Sequence, residues 1–110
     1  MSTCPFLVVR AHVNPEVLAE LEQWYLQVHI HTMLKIPGIV AAFRLRSLRT
    51  GPNWMTAFRL ADESVIQKAF ASTEANEARQ DWERWLPYVS EVTVEVYTSL
   101  MSLPAYRHWN

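Results

Sequence analysis

Two histidines stand two residues apart in WYLQVHIHTMLKIPG, residues 24–38, close to a Pro-Gly stop. An imidazole has an unperturbed pKa of about 6.5, so it can move a proton near neutral pH or bind a metal through a ring nitrogen. Helical neighbours are about 100° apart, which puts His29 and His31 about 160° apart around the axis, too far to share one ion while both stay helical. Neither has a Cys or a carboxylate four residues away, and no metal site is expected. One histidine on a cavity wall suffices for general acid–base chemistry. The plainer alternative is an edge imidazole bonded to a strand carbonyl near the helix C-terminus, where the dipole favours positive charge.

Period-two patterning names the groups that would surround such a site. In FLVVRAH, Phe6, Val8, Arg10 and His12 share one face and Leu7, Val9 and Ala11 the other. The smaller aliphatic set suits packing under helices, which assigns Arg10 and His12 to a cavity on the opposite face. Trp54, Thr56 and Phe58 of WMTAFRL are expected to join them, together with Glu95 and Tyr97 of VTVEVYTSL, which oppose Val92, Val94 and Val96. Aromatic walls from Phe6, Trp54 and Phe58 with a few convergent polar groups suit an apolar or aromatic substrate. Arginine offers fixed donors to a carboxylate or developing enolate, and tyrosine can donate to an oxyanion. The alternative for Arg10, Arg44 and Glu95 is cross-strand ion pairing on a dimer interface. His108 is expected to be exposed and without a role.

The elements that must position these residues follow from local signals. Phe6 to His12 reads as a strand, followed by Asn14 as a helix N-cap and Pro15 as the first helical residue. Val17, Leu21, Trp24 and Val28 form an apolar stripe, with Leu18 and Tyr25 beside it, on a helix running to about Leu34. Pro37 and Gly38 stop it. A strand over Ile39 to Leu48, a hairpin loop RTGPN and a strand over Trp54 to Leu60 come next. Asp62 caps a short helix over Glu63 to Ser72, a break falls near Ser72 and Thr73, and a helix over Asn76 to Leu86 precedes a last strand over Val92 to Leu100. This is the βαββαβ plan of an α+β, ferredoxin-like domain over residues 1–100, a four-stranded antiparallel sheet with helices on one face. Residues 101–110 form a tail bearing Tyr106 and Trp109. The other face of the sheet would expose much apolar surface, so a homodimer formed sheet to sheet is expected.

Totals narrow the function classes. With 110 residues and 50% apolar composition the chain makes one domain with a packed core. Ten basic against 11 acidic residues give a net charge of -1, without the footprint of a nucleic-acid or anionic-membrane binder. The single Cys4 rules out an intramolecular disulfide, and no apolar run reaches the length of a signal core or membrane span, which reads as cytoplasmic. Two glycines leave no phosphate-binding loop, and no cofactor is expected.

WYLQVH followed by Pro37-Gly38, then AAFRLR and WERWLPYVSEVTVEVYTSL, resembles the dimeric α/β-barrel superfamily, especially its small EthD-like members, over about residues 5–100. The resemblance implies that two sheets from two subunits close a cavity used as a small-molecule pocket. It places His29, and not His31, at the family's histidine, Arg44 at its strand arginine and Tyr97 at the tyrosine of its last strand. The acidic residues that usually precede that histidine are Leu26, Gln27 and Val28 here, so Glu22, Glu95 or a second subunit would supply a carboxylate. Relatives include cyclases, isomerases, lyases, decarboxylases and cofactor-free monooxygenases; heme binders also occur, but no histidine stands on the later helices. The expectation is a cofactor-independent enzyme of lyase, isomerase or cyclase type acting on a small aromatic or carbonyl compound. His29 would be its acid or base, His12, Arg44 and Tyr97 would orient or stabilise an anion, and Arg10, Phe6, Trp54, Phe58, Trp24 and Glu95 would contact substrate. The alternatives are a cofactor-free monooxygenase or a non-catalytic module that holds a small hydrophobic ligand.

Overall fold

The computed structural model describes residues 4–101 and residue 103; Tyr106, His108 and Trp109 of the expected tail lie outside the described residues. The chain runs β1 (Pro5–Val13), α1 (Leu18–Trp24), a π-helical turn (Tyr25–His29), α2 (Ile30–Leu34), β2 (Ile39–Leu45) and β3 (Trp54–Leu60). A 3-10 turn (Glu63–Val65), α3 (Ile66–Ala71), α4 (Thr73–Trp82), a second 3-10 segment (Glu83–Tyr88) and β4 (Val89–Thr98) complete it. The four strands form one antiparallel sheet in the order β2-β3-β1-β4, the ferredoxin-like order.

Local chemistry explains where the elements start and stop. Asn14 does not cap the first helix directly. Its side chain accepts from Glu16 N at 2.9 Å and its carbonyl from Val17 N at 3.0 Å, so Pro15 sits in a turn and the helix begins at Leu18. Asn53 clamps the end of β1, accepting from Val13 N at 2.8 Å and donating to Val13 O at 2.9 Å. Asp62 and Ser72 each cap the helical segment that follows, by accepting from Ser64 N and Ala75 N respectively. β2 ends at Leu45, short of the predicted Leu48, which is 84% exposed. β4 starts at Val89, earlier than the pattern indicates, because the 3-10 segment ends at Tyr88 and Val89 pairs with Val13 beyond a bulge whose extra residue lies in β4.

Gly38 turns the chain from α2 into β2 at φ +96°, a conformation suited to glycine. A Cβ there would lie 2.7 Å from Val65 Cγ2, so the turn also needs the missing side chain to let the 3-10 segment approach.

The core lies between one face of the sheet and the helices. Leu7, Ala11, Trp54, Phe58 and Leu60 from the sheet meet Leu21, Trp24, Tyr25, Met33, Ala75, Ala78 and Trp85 from the helical layer. Cross-strand register decides which residues share that face: Leu7 pairs with Phe58, Val9 with Thr56 and Ala11 with Trp54. Trp54 and Phe58 therefore point at the helices, 2% and 1% exposed, and not at the open face that their alternation was expected to put them on. The open face carries Phe6, Val8, Arg10 and His12 with Phe43, Glu95 and Tyr97. The helical layer stops short of β4, leaving Val92, Val94 and Val96 40%, 65% and 44% exposed.

Candidate active site

A cavity of about 270 Å³ lies between the sheet and the helices of a single chain. Val9, Trp54, Thr56 and Phe58 form its floor, Tyr25, His29 and Met33 one wall, and Ala78, Arg79 and Trp82 of α4 the other, with Val92 and Val94 at the β4 edge. This cavity lies on the side of the sheet opposite the face on which a chamber between two sheets was expected. The reason is the register of β3 against β1, which sends the large β3 aromatics inward and leaves room among them.

The π-helical turn places the histidine. Had the α-helix continued, the apolar stripe through Leu21 and Trp24 would have reached Val28. Ile30 N instead donates to Tyr25 O, five residues back, and the extra residue in that turn carries the inward face on to Tyr25, His29 and Met33. Val28 is accordingly 46% exposed and His29 only 5% exposed. His31 is exposed, and among the described residues no cluster of His, Cys, Asp or Glu could hold a metal ion.

The His29 ring is held among aromatic rings, 4.7 Å from Trp24 in a stacked arrangement, 5.0 Å from Tyr25 and 6.0 Å from Trp82. Its Nδ1 is buried without a hydrogen-bond partner and lies 3.8 Å from Asp81 Oδ2. That distance is beyond a hydrogen bond, so Asp81 acts on the ring as a nearby charge. Burial lowers the His29 pKa to about 4; Asp81 opposes the shift and Arg84 adds to it. The ring is therefore neutral at pH 7. Nε2 is neither hydrogen-bonded nor sealed among the described residues, which leaves it the nitrogen able to meet a ligand in the cavity.

Two hydroxyl-bearing residues, Tyr25 and Thr56, line the same cavity. Tyr25 Oη donates to Thr56 Oγ1 at 3.2 Å, and Thr56 Oγ1 donates to the Phe43 carbonyl at 3.2 Å. Burial raises the Tyr25 pKa above its ordinary value, which keeps the phenol protonated and a donor.

The remaining candidates are divided between two faces. Arg44 is on the helix side but does not line the cavity. It pairs with Glu22, donates to Met55 O and lies 4.4 Å over Trp54 and 5.0 Å over Tyr25. Glu22 is thereby committed to Arg44 and does not serve His29. Trp24 backs the imidazole and borders a second hollow with Arg84 and Trp85, not the cavity. Arg10, Glu95 and Tyr97 form a network on the open face, in which Arg10 pairs with Glu95 and Tyr97 Oη donates to Glu95 Oε2 at 2.7 Å. Phe6 packs there against Phe43, ring centroids 6.4 Å apart, and His12 lies on the same face. The sheet separates these five from His29. Asp81, Arg79 and Trp82 are neighbours of the site that sequence reasoning missed as site residues, whereas Thr56 was expected on the cavity face and lines the cavity. Thr56 had a signal in its alternation with Trp54 and Phe58; the α4 residues had none, since nothing local ties residue 81 to residue 29.

No protein-family model and no curated sequence matches the chain. Solved structures do. An EthD-family protein from Bacillus halodurans superposes with a TM-score of 0.72 at 16% identity, covering 88% of this chain and 99% of its own. A DABB-family protein with a ferredoxin-like fold from Mesorhizobium loti gives 0.71 at 16% identity over 90% and 99%. The chain has this ferredoxin-like fold. SnoaB from Streptomyces nogalater, a cofactor-independent oxygenase, superposes with a TM-score of 0.65 at 16% identity over 96% of this chain and 100% of its own. In the ferredoxin-like fold as this chain builds it, β3, the π-helical turn and α4 meet at the cavity. Among the described residues no helix is long and apolar enough to cross a membrane.

Proposed function

We propose that this protein is a cofactor-independent enzyme that binds a small aromatic or carbonyl compound in the cavity between sheet and helices and moves a proton through His29. One observation carries the reading: a neutral imidazole, with one nitrogen facing Asp81 and the other unbonded, stands in the wall of a largely apolar cavity. A neutral ring is a base at pH 7. When Nε2 takes a proton from a phenol, an enol or a carbon next to a carbonyl, the new imidazolium is held by Asp81, 3.8 Å from Nδ1. The Tyr25 and Thr56 hydroxyls line the same cavity, and the Tyr25 hydroxyl, by turning from Thr56, supplies a donor for the substrate oxygen where charge develops. The apolar walls exclude water and strengthen these interactions. The likeness to a cofactor-independent oxygenase supports the same class of chemistry.

The test is turnover and binding with a panel of hydroxylated one- and two-ring aromatics and cyclic ketones, with tryptophan fluorescence reporting occupancy. His29→Ala is expected to keep binding and lose at least a hundredfold in kcat, the usual scale of general acid–base catalysis. Product formed without oxygen uptake identifies lyase, isomerase or cyclase chemistry, and stoichiometric oxygen uptake identifies the monooxygenase form. Full activity in His29→Ala overturns the proposal. Binding without turnover in the wild type assigns the chain to the ligand-binding class instead.

The open face is read as the contact with a second copy. Phe43 and Leu45 are 45% and 47% exposed there beside Phe6, more apolar surface than a solvated sheet face ordinarily shows. In this reading Arg10, Glu95, Tyr97 and His12 serve the homodimer contact, while the chemistry belongs to the helix side.

A further inference from the structure

Among the described residues lining the cavity, Arg79 carries the one fixed charge. Its surroundings differ from those of the other structured arginines near the sites described. Arg10 is paired with Glu95, Arg44 with Glu22, and Arg84 lies over Trp24 and Trp85 at 4.8 and 5.5 Å. Arg79 forms no ion pair among the described residues, and its contact with protein is one long hydrogen bond from Nη1 to the Phe70 carbonyl at 3.4 Å. A guanidinium has five donors in a fixed fork suited to a carboxylate. Nearly all of that capacity is unused at the rim of an aromatic cavity.

We propose that Arg79 is the anion anchor of this cavity and that its ligand is a one- or two-ring aromatic carboxylate; the proposal rests on reading the cavity as a ligand site. Electrostatics fix the direction of binding. At the His29 end the ring is neutral and Asp81 is 3.8 Å away, so a carboxylate placed there would meet a like charge and lose hydration, while Arg84, the cation whose charge reaches His29, is held over Trp24 and Trp85 and does not line the cavity. At the Arg79 end the side chain is exposed, so a carboxylate pairs with it while staying partly hydrated. Arg79 precedes Trp82 by three residues, about 4.5 Å along α4, and the Trp82 ring centre is 6.0 Å from that of His29. A ligand held by its carboxylate at Arg79 therefore lies along Trp82 and presents its far edge to His29 Nε2. The volume of about 270 Å³ is below the range of roughly 300–1,000 Å³ typical of drug-sized ligands, which limits the ring system to one or two rings.

The experiment compares 2-naphthoate with 2-naphthamide, which share shape and differ in charge, by isothermal titration and tryptophan fluorescence on the full chain. Wild type is expected to bind the carboxylate at least tenfold tighter than the amide, with the preference shrinking as salt rises from 50 to 500 mM, as an exposed charge pair should. Arg79→Gln, at an exposed position, should abolish the preference and leave amide affinity within twofold, and Arg79→Lys should restore part of it. Equal affinities in the wild type, or equal loss of both ligands in Arg79→Gln, overturn the anchor and leave the cavity reading standing. Binding of neither ligand by folded wild type overturns both.

Discussion

Replacing His29 with glutamine should remove a defined part of the pH dependence of stability. In the folded chain its pKa is about 4, whereas an unfolded histidine titrates near 6.5. Between those values the unfolded chain binds a proton that the folded chain refuses, so stability rises with pH across the window. The contribution is complete above the unfolded value and is lost as pH falls toward the folded one. At 1.36 kcal/mol per pH unit the full window is worth about 3 kcal/mol, and about 2 kcal/mol of it falls between pH 7.5 and pH 5.0. The assay is urea unfolding followed by tryptophan fluorescence, for wild type and His29→Gln at both pH values. Carboxylates titrate in both proteins and cancel in the difference. Wild type should lose about 2 kcal/mol more than the variant on acidification, and the His29 Cε1 proton should titrate near pH 4 in NMR spectra. A parallel loss within about 0.5 kcal/mol, or an NMR midpoint near 6.5, refutes the claim that the ring is buried and neutral.

Three further outcomes are expected. Gly38→Ala should cost about 2–3 kcal/mol, because it combines a left-handed φ with a 2.7 Å approach to Val65, whereas Gly51→Ala, with nothing within 4 Å, should cost about 1 kcal/mol; thermal melts will separate the two. Arg44→Ala should destabilise by about 2–3 kcal/mol in urea, since it strips Glu22 of its partner and Trp54 of its stacked cation, and Arg44→Met should recover part of that through packing alone. Phe43→Lys on the open face should convert a dimer to a folded monomer in sedimentation velocity; an unchanged dimer would show that copies meet elsewhere.

Element order was legible because it depends on local chemistry. Alternation marked the strands, the Pro37-Gly38 stop closed the first helix, and Asp62 and Ser72 announced the breaks around the short helix, as the structure shows. Amphipathic pattern likewise separated Leu7 and Val9 from Arg10, because a single strand with small aliphatics on one side and charge on the other declares its faces. β3 declares nothing of the kind. Trp54 and Phe58 on one side and Met55 and Ala57 on the other are both apolar, so only the pairing of Leu7 with Phe58 settled which set faces the helices. Register is a relation between strands and is not written in either strand alone.

The site divides along the same line. His29 could be singled out from its residue type and neighbours, but the angle at which it enters the molecule could not, because a π turn is a departure from the helical period that any wheel assumes. Its carboxylate partner was expected from Glu22, Glu95 or a second subunit and is found 52 positions along the chain, on α4, whose packing against the first helix brings Asp81 to 3.8 Å. Arg44 shows the converse: its type suggested work on a substrate, and the tertiary structure spends it on Glu22, Met55 O and two aromatic faces. Residue type and period determined what this chain is built from and in what order. Strand register, one extra residue in a helical turn and the approach of α4 decided where its cavity lies and which imidazole nitrogen faces Asp81, since each of these is fixed by contacts between segments and not within them.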